Sequence, residues 1–583
     1  MEKNTWLKER YSKLLSTFGD KTFTFNQAKE LLSENFGDNE NMVFRVLSDL
    51  QKLKWLKAES DPNDKRKKIY NLILKFSEKG KKRKLGRAEM EALMKKAANT
   101  IRNRVSYDFI LTLLFLKRIS DKWKFEFKNA KEELIKEGLD ESIAEKEAKR
   151  SEYHDFDFEE NVLWDNIKKD ISKLPENLSK ALKVLADKNP ELSPLVLNSD
   201  FIQFTRNDEN LEILRQLVEL FSSVDLSNVS PDILGDAYEW LLRYFAPQKA
   251  KEGEIYTPRE VIRLLVELTD PKLNESVYDP AVGSAGMLIG AFNYCEEKYG
   301  KGETLRNLFL YGQEVNPKTY ALGLMNAKIH DIKEIVLEQG DTLRHPKFIE
   351  EGDVKKFNVV IANPPWNQDG YGEETMREVE YKHRFSFGFV PKQSADWLWI
   401  QHMIYSADDS NGRVGLVIDN GALFRGRKEK VIRRKVLEKD LIDTVILLPE
   451  KLFYNTSAPG VIIIFNKNKE EKRRGKVLII NASQEFEKHE SVRRLNQLKQ
   501  KNINKIVQVY REYKEVEGFS RIVSLDEIKE NEYNLNVTLY VYPEEEEEEI
   551  DVRKEWSDIK EINKEIELQE KKIEEYLRWI YEW

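Results

Sequence analysis

The segment Val359-Val-Ile-Ala-Asn-Pro-Pro-Trp366 constrains the fold of this chain more than any other stretch. Its β-branched run predicts a strand that is buried on both faces, as strands inside a parallel sheet are. Pro364 and Pro365 fix φ and lack N–H donors, so the chain must leave the sheet there in a rigid loop. That loop holds Asn363 and Trp366 at the carboxyl end of a strand, where open α/β sheets bind their ligands.

An amide and an indole in such a loop suit a transfer reaction to an exocyclic amine. The side-chain carbonyl of Asn363 and the backbone carbonyl of Pro364 can each accept one N–H of an NH₂ group, which directs the nitrogen lone pair toward an electrophile. Trp366 offers a flat face for a base taken out of a duplex, and such stacking is worth about 1–3 kcal/mol. The alternative is a rigid turn with a half-buried Trp, and this short motif alone does not decide between the two.

The size and composition of the chain limit its class. A length of 583 residues predicts several domains, because single cores rarely grow beyond about 300 residues. The single cysteine, Cys295, excludes an intramolecular disulfide, fits a reducing cytosol and follows an apolar stretch that predicts a core thiol. The polar N-terminus and the absence of any apolar run of about 18 residues predict neither a signal peptide nor a membrane span.

The net charge of −7 argues against a protein that grips DNA alone across a wide surface. Basic residues are clustered at 65–68, 81–84 and 425–428, and such clusters are more often solvated faces or linkers than phosphate contacts. The negative net charge therefore indicates that another chain supplies much of any affinity for nucleic acid.

Periodicity and composition divide the chain into six segments. They are a winged-helix-like accessory domain (1–77), a basic linker (78–87), an all-helical domain (88–250), an α/β catalytic domain (251–482), a C-terminal extension with an acidic spacer (483–549) and a long helix for subunit assembly (550–583).

The N-terminal segment combines helices predicted near 5–17, 26–35 and 40–53 with a basic hairpin, which is typical of a winged helix. Such a module binds DNA or a partner, and a purely accessory packing role fits equally well. In the helical domain, Phe109–Leu116 is apolar nearly all round and predicts a central helix, whereas 132–149 predicts a charged, exposed one.

From about residue 251, alternating strands and helices predict a parallel sheet with crossover helices. The predicted strands are 277–280, 308–314, 335–338, 357–361, 414–418, 444–448 and 461–465, with 478–482 at an edge. At the C-terminus, apolar residues that step by threes, fours and sevens predict a coiled-coil helix for a partner chain. The alternative is that this helix packs on the helical domain.

A second group of polar and small residues follows the first predicted strand of this region. Asp279 ends that strand, and Gly283 and Gly286 in the loop after it let the backbone approach a ligand at a helix N-terminus. The loop lacks the Gly-Lys-Ser/Thr of a P-loop, which argues against ATP, and it lacks the full dinucleotide-binding spacing. Glu314 ends the next strand, where an acidic side chain would hold ribose hydroxyls, and Asp341 after the third could accept from an adenine amine.

Four segments together resemble the methylation subunit of type I restriction-modification systems, a family of S-adenosylmethionine-dependent DNA adenine-N6 methyltransferases. They are Glu254–Arg259, Asp279–Gly286, Gly312–Glu314 and Asn363–Trp366. Further matching segments are 234–239, 394–397, 420–426, 448–454 and 533–536. The resemblance covers about residues 85 to 580 and implies an α/β fold, with a Rossmann-like methyltransferase sheet preceded by the all-helical domain.

The resemblance also implies roles for individual residues. The implied cofactor-binding residues are Glu254, Ile255, Tyr256, Thr257, Pro258, Arg259, Asp279, Pro280, Gly283, Ser284, Ala285 and Gly286, with Glu314 at the ribose and Asp341 at the adenine ring. The implied catalytic loop is Asn363, Pro364, Pro365 and Trp366. Ala285 replaces the glycine that is commonest in this loop, and we expect its methyl group to be tolerated if φ is negative there.

The implied cofactor is S-adenosylmethionine, and we expect direct in-line methyl displacement with no metal and no covalent intermediate. The implied partners are double-stranded DNA, a separate specificity subunit, a second methylation subunit on that specificity subunit, and a restriction subunit, all in a prokaryotic cytoplasm. One alternative is a stand-alone adenine-N6 or cytosine-N4 methyltransferase that uses residues 1–77 to bind DNA. Another is a non-catalytic DNA-binding regulator.

Overall fold

The computed structural model describes residues 5–18, 22–52, 56–60, 68–72, 85–101, 104–194, 200–249, 257–332, 334–453, 456, 458–489, 494–542 and 552–581. The predicted linker up to residue 84 and the Glu544–Glu549 spacer lie outside these ranges. Among the described residues, no helix combines the length and the apolar character that crossing a membrane requires.

The α-helices are connected by short 3₁₀ turns and loops. They are α1 (Thr5–Phe18), α2 (Phe25–Phe36), α3 (Glu40–Lys52), α4 (Arg87–Ile101), α5 (Asp108–Lys136), α6 (Glu141–Glu147), α7 (Trp164–Ile167), α8 (Leu174–Lys188), α9 (Asp208–Ser222), α10 (Pro231–Lys249), α11 (Arg259–Thr269), α12 (Gly286–Tyr299), α13 (Lys301–Asn307), α14 (Pro317–Ile329), α15 (Glu373–Met376), α16 (Asp396–Ser406), α17 (Arg427–Glu438), α18 (Gln500–Glu512), α19 (Leu525–Glu530) and α20 (Val552–Tyr581).

The strands fall into one large sheet and three small ones. They are β1 (Phe23–Thr24), β2 (Leu56–Ser60), β3 (Lys68–Leu72), β4 (Glu275–Asp279), β5 (Leu308–Glu314), β6 (Ile335–Gln339), β7 (Ile349–Glu350), β8 (Asp353–Val354), β9 (Val359–Ala362), β10 (Arg413–Asp419), β11 (Ile442–Leu447), β12 (Gly460–Asn466), β13 (Lys476–Asn481), β14 (Glu487–Lys488), β15 (Asn496–Gln497) and β16 (Ser520–Ser524).

The helical region is organised around α5. The stretch Phe109–Leu116 is buried in a core shared with the neighbouring helices, as its all-round apolar sequence predicts. The prediction of one continuous exposed helix over 132–149 is wrong. The chain breaks at Gly138, whose φ of +99° no helix accommodates, and a new helix begins after Asp140, whose side chain accepts from the Ser142 N–H.

The large sheet has the strand order β6-β5-β4-β9-β10-β12-β11-β13-β16. The first five strands in this order, β6, β5, β4, β9 and β10, run parallel to one another, as predicted. Strand β12 runs antiparallel to both of its neighbours. The prediction of an edge strand at 478–482 is also wrong, because β13 is covered by the antiparallel strand β16. The sheet therefore extends into the segment predicted as a C-terminal extension.

The order of the parallel strands creates one topological switch point. From β4 the chain adds β5 and β6 on one side of the sheet and then returns to add β9 and β10 on the other side. Beyond the paired ends of β4 and β9 the loops diverge, which opens a crevice at the carboxyl edge where α/β sheets take ligands. Asp279 ends β4 and Asn363 follows β9, so both flank this crevice.

Apolar cores cover both faces of the sheet. The single cysteine, Cys295, is fully buried in one of them, and burial raises the pKa of its thiol to about 12. The predicted core thiol is thereby confirmed.

The C-terminal helix α20 exposes the apolar side chains of its predicted coiled-coil seam. Trp556 is 58% exposed, and Ile559, Ile566 and Ile573 are also exposed. No other described part of the chain buries these side chains.

Candidate active site

A cavity of about 500 Å³ lies at the switch point of the sheet. This volume falls in the range of cavities that hold a nucleoside-sized ligand. Its walls come from the carboxyl ends of β4, β5 and β9, from helix α14, and from the helical region. The lining residues that the sequence predicted are Thr257, Asp279, Gly283, Ser284, Gly286, Glu314, Asn363, Pro365 and Trp366.

The Asn363 carboxamide is held in one orientation while it borders the cavity. Its Nδ2 donates to Thr257 Oγ1 at 2.8 Å, and its Oδ1 accepts from Trp366 Nε1 at 2.9 Å. An amide oxygen has two acceptor lone pairs, so the indole N–H leaves one for a further donor. The amide is thus engaged by the protein and still faces the cavity.

Trp366 is half-buried and packs edge-on against Phe453, with ring centroids 4.9 Å apart. A side chain at Gly460 would collide with this pair, because its Cβ would lie 2.8 Å from Phe453 and 3.0 Å from the Trp366 ring. The indole therefore occupies a slot that requires glycine at the start of β12. Pro364 is buried and does not line the cavity.

Two acidic side chains lie at the floor of the cavity. Glu314 accepts from the Gly283 N–H at 3.0 Å with one oxygen and from the Asn316 N–H at 2.8 Å with the other. The Glu314 side chain also lines the cavity, so its carboxylate is placed to meet a ligand there. Asp279 is 1% exposed and accepts from the Ala281 N–H at 3.0 Å. Burial, together with the nearby charge of Glu314, raises the Asp279 pKa to about 8.

The raised pKa of Asp279 predicts a pH-dependent cost to stability. Its folded pKa lies above the unfolded value near 3.8. The contribution of Asp279 to the free energy of unfolding is therefore fully present below about pH 4 and is lost as the pH rises toward 8, where the buried carboxyl ionises. We expect Asp279→Asn to melt at a higher temperature than the wild type at pH 9, with a smaller difference at pH 5. Thermal unfolding followed across this range tests the sign. A difference independent of pH would contradict the raised pKa, and Asp526→Asn, on helix α19, serves as a control.

The expectation for Ala285 rested on a negative φ, which the structure contradicts. Ala285 has φ +65° and caps α12 in the left-handed region. For residues other than glycine this conformation costs about 1–2 kcal/mol, and the surrounding core holds it, because Ala285 is fully buried.

We expect Ala285→Val to destabilise the protein by at least about 2 kcal/mol, because a β-branched side chain in the left-handed region adds to overpacking of a full core. Ala285→Gly is the matched control, and there the relief of strain offsets the lost methyl burial and the greater freedom of the unfolded chain. Chemical denaturation compares the three proteins. Equal stability of the Val and Ala forms would contradict the strained geometry.

Asp341 and Pro280 lie next to the cavity without lining it. Asp341 accepts from the Tyr371 hydroxyl at 2.9 Å and from the Leu343 and Arg344 N–H groups. The Pro280 carbonyl accepts from the Thr342 hydroxyl at 2.6 Å, which joins the loops after β4 and β6.

The predicted loop Glu254–Arg259 is described only from Thr257 onward; Glu254, Ile255 and Tyr256 lie outside the described residues. Thr257 borders the cavity, and Pro258 starts α11. Arg259 points to α10 instead, where it pairs with Glu239 and, at 2.7 Å, with Asp236.

Several lining residues were not predicted. Those outside the predicted motifs include Tyr107, Glu239, Leu242, Asn316, Thr319, Asn326 and Gln368. Glu239 ends the 234–239 segment that the resemblance had included without a role, so that segment was the available signal. Asn326 is fully buried; its Nδ2 donates to the Ser284 carbonyl at 2.8 Å, and its Oδ1 has no protein partner.

Comparison with known protein families agrees with this geometry. The model of the N-6 DNA methylase family matches residues 229–549, and that of the HsdM N-terminal domain matches residues 90–221. The MjaVII methylase subunit of a type I restriction enzyme from Methanocaldococcus jannaschii is 45% identical over 96% of this chain and 95% of its own length. The HindI methylase subunit from Haemophilus influenzae is 32% identical over 58% of this chain and 77% of its own length.

A solved structure shows the same fold. The methyltransferase subunit of a type I restriction-modification system from Streptococcus thermophilus superposes with a TM-score of 0.68 at 27% identity, covering 78% of this chain and all of that one. The resemblance predicted from the motifs is thereby confirmed. The chain belongs to the N-6 DNA methylase family, among the methylase subunits of type I restriction enzymes.

Proposed function

We propose that this chain transfers a methyl group from S-adenosylmethionine to N6 of adenine in DNA, with the target base turned out of the duplex. The observation that carries the proposal is the Asn363 carboxamide, fixed by Thr257 and Trp366 at the edge of a cavity that Asp279 and Glu314 also line. One end of the cavity can therefore hold a nucleoside while the other presents an acceptor to an amine.

The residues present fit S-adenosylmethionine. Glu314 lines the cavity, and we propose that its carboxylate accepts from the ribose hydroxyls. Asp279 is the buried acid toward which a positively charged group would be drawn, and such a charge would favour its carboxylate form. The unpartnered Oδ1 of the fully buried Asn326 adds an acceptor for an ammonium group. When bound, this cofactor supplies a methyl group that is already electrophilic.

The work left to the chain is to position and polarise the target amine. The free lone pair of Asn363 Oδ1 accepts one amine N–H. The Pro364 carbonyl remains our proposed acceptor for the other, although Pro364 does not itself line the cavity. The orientation of the amide is set by Trp366, whose indole N–H can only donate and therefore requires Asn363 Oδ1 to face it. Thr257 accepts from the Nδ2 of the amide in that orientation, so the N–H groups of Asn363 are directed away from the amine. Trp366 also offers its remaining surface to the base.

We further propose that a separate specificity subunit chooses the sequence, as part of an assembly with a second copy of this chain and a restriction subunit, in the prokaryotic cytoplasm. The net charge of −7 supports a partner that supplies most of the affinity for DNA. The exposed apolar seam of α20 supports a partner chain that packs against this helix. The six segments predicted from the sequence remain our proposal for the domain division, with the third and fourth segments sharing the cavity.

The direct test is to express the chain with the other genes of its operon in a host without DNA methylation and to map the modified bases. We expect N6-methyladenine at one sequence, lost when the specificity gene is deleted. Methylated cytosine in place of methylated adenine would contradict the assignment of adenine as the target base. Sequence-specific methylation by the purified chain alone would contradict the division of labour and favour the stand-alone alternative. Failure of the chain to bind S-adenosylmethionine in calorimetry would favour the non-catalytic one.

A further inference from the structure

We propose that the N-terminal module, residues 5–72, binds duplex DNA through helix α3, apart from the Asn363 site. The module has the element order α1-β1-α2-α3-β2-β3, and its strands pair in the order β1-β3-β2. Helices α2 and α3 are joined by a three-residue turn that starts at Gly37, with φ +68°. This is a helix-turn-helix followed by a hairpin, an arrangement in which the second helix enters the major groove.

Helix α3 has one buried face and one exposed face. Val43, Val46, Leu47 and Leu50 pack in the core of the module. On the other side, Phe44 is 66% exposed, the Arg45 side chain is 68% exposed and the Lys52 side chain is 74% exposed. On a helix that enters a major groove, an apolar ring at this position is suited to contact a thymine methyl group.

The charge of the module differs in sign from that of the rest of the chain. Residues 1–77 carry 15 Lys and Arg against 11 Asp and Glu, whereas residues 78–583 carry 81 against 92. Helix α3 itself is balanced, with Arg45 and Lys52 against Glu40 and Asp49, so the excess comes from elsewhere in the segment, chiefly from residues 65–68. A basic segment in an acidic chain is complementary to a polyanion, which favours DNA over an unspecified protein partner.

The basic side chains on the exposed face can change partner at little cost. Arg45 and Lys52 both face Asp49, at 3.8 and 3.3 Å. Ion pairs between exposed side chains contribute between nothing and about 1 kcal/mol. Losing the contact with Asp49 therefore costs at most about 1 kcal/mol for each pair, and the release of condensed counterions favours a phosphate contact in its place.

The test uses the full chain and a fluorescein-labelled 30-base-pair duplex of arbitrary sequence, followed by anisotropy over a series of salt concentrations. We expect the double variant Arg45→Gln with Lys52→Gln to bind about tenfold more weakly at moderate salt. Its slope of log K against log [salt] should be smaller in magnitude by about two. The matched control is Lys472→Gln with Lys514→Gln, which removes two other exposed charges. It should leave the affinity within twofold of wild type and the salt slope unchanged.

Phe44→Ala is the second variant, because it changes no charge. We expect it to weaken binding with an unchanged salt slope and, since the ring is exposed, with an unchanged melting temperature. Wild-type affinity in both module variants would overturn the proposal. Altered sedimentation with unaltered DNA affinity would overturn it too and assign α3 to a protein contact. The double variant should bind S-adenosylmethionine as the wild type does, so loss of the cofactor site and loss of this contact are separable.

Discussion

Asn363→Ala should lower the rate of methyl transfer by at least about 10³-fold while cofactor affinity stays within a few-fold of wild type. Removing one preorganised hydrogen-bonding group from a reacting centre typically costs about 10²–10³-fold. Here the same change also leaves Thr257 Oγ1 and Trp366 Nε1 without their partner. Single-turnover transfer to duplex DNA by the assembled complex, together with calorimetry of cofactor binding, measures the two quantities separately.

Trp366→Phe separates the two contributions of the indole in the same assay. Phenylalanine keeps an aromatic face but removes the N–H that holds Asn363 Oδ1. We expect a loss of about tenfold, between wild type and Asn363→Ala, whereas Trp366→Ala should lose more because the stacking surface is gone as well. Normal turnover in Asn363→Ala would refute the assignment of the catalytic amide.

Glu314→Gln should weaken cofactor binding by at least about 100-fold, the second large effect that we expect. Both carboxylate oxygens accept backbone N–H groups, from Gly283 and Asn316. A glutamine has one carbonyl oxygen and must turn its NH₂ group toward one of these donors, which leaves a buried N–H unsatisfied and displaces the loop. The same substitution removes an acceptor for a ribose hydroxyl. Cofactor affinity therefore falls both because the loop is displaced and because this hydrogen bond is lost.

Glu338→Gln is the control for this change, because that side chain is exposed on the neighbouring strand β6. Calorimetry with S-adenosylmethionine and with its demethylated product should give the same loss for Glu314→Gln, since both ligands carry the same ribose. Undiminished binding of either ligand would show that Glu314 serves the loop alone.

The sequence predicted those features that short-range patterns determine. The β-branched run before Asn363 and the strand at 308–314 appear as β9 and β5 because a doubly buried strand needs such residues. The motif residues Asp279, Glu314 and Asn363 meet in one cavity because parallel strands end on the same edge. Local composition was sufficient for all of these.

Contacts between distant segments were not predictable in this way. Tyr107, just before α5, enters the cavity from a segment that is remote in sequence, and nothing in its local pattern indicates this. Glu239 enters from α10, and its only signal was its place in the 234–239 segment of the resemblance. The pairing of β16 with β13 depends on where the chain returns after α18. The left-handed backbone of Ala285 is fixed by the core around it, and alanine gives no local sign of a positive φ.

The segment Thr257–Arg259 touches two parts of the molecule within three residues. Thr257 holds the Asn363 amide, and Arg259 is bound to Asp236 and Glu239 on α10 of the helical region. A shift of that region relative to the sheet would pull on Arg259 and tilt Thr257, which turns the amide away from its working orientation. A partner that moved α10 against the sheet would thereby lower the rate of methyl transfer without entering the cavity.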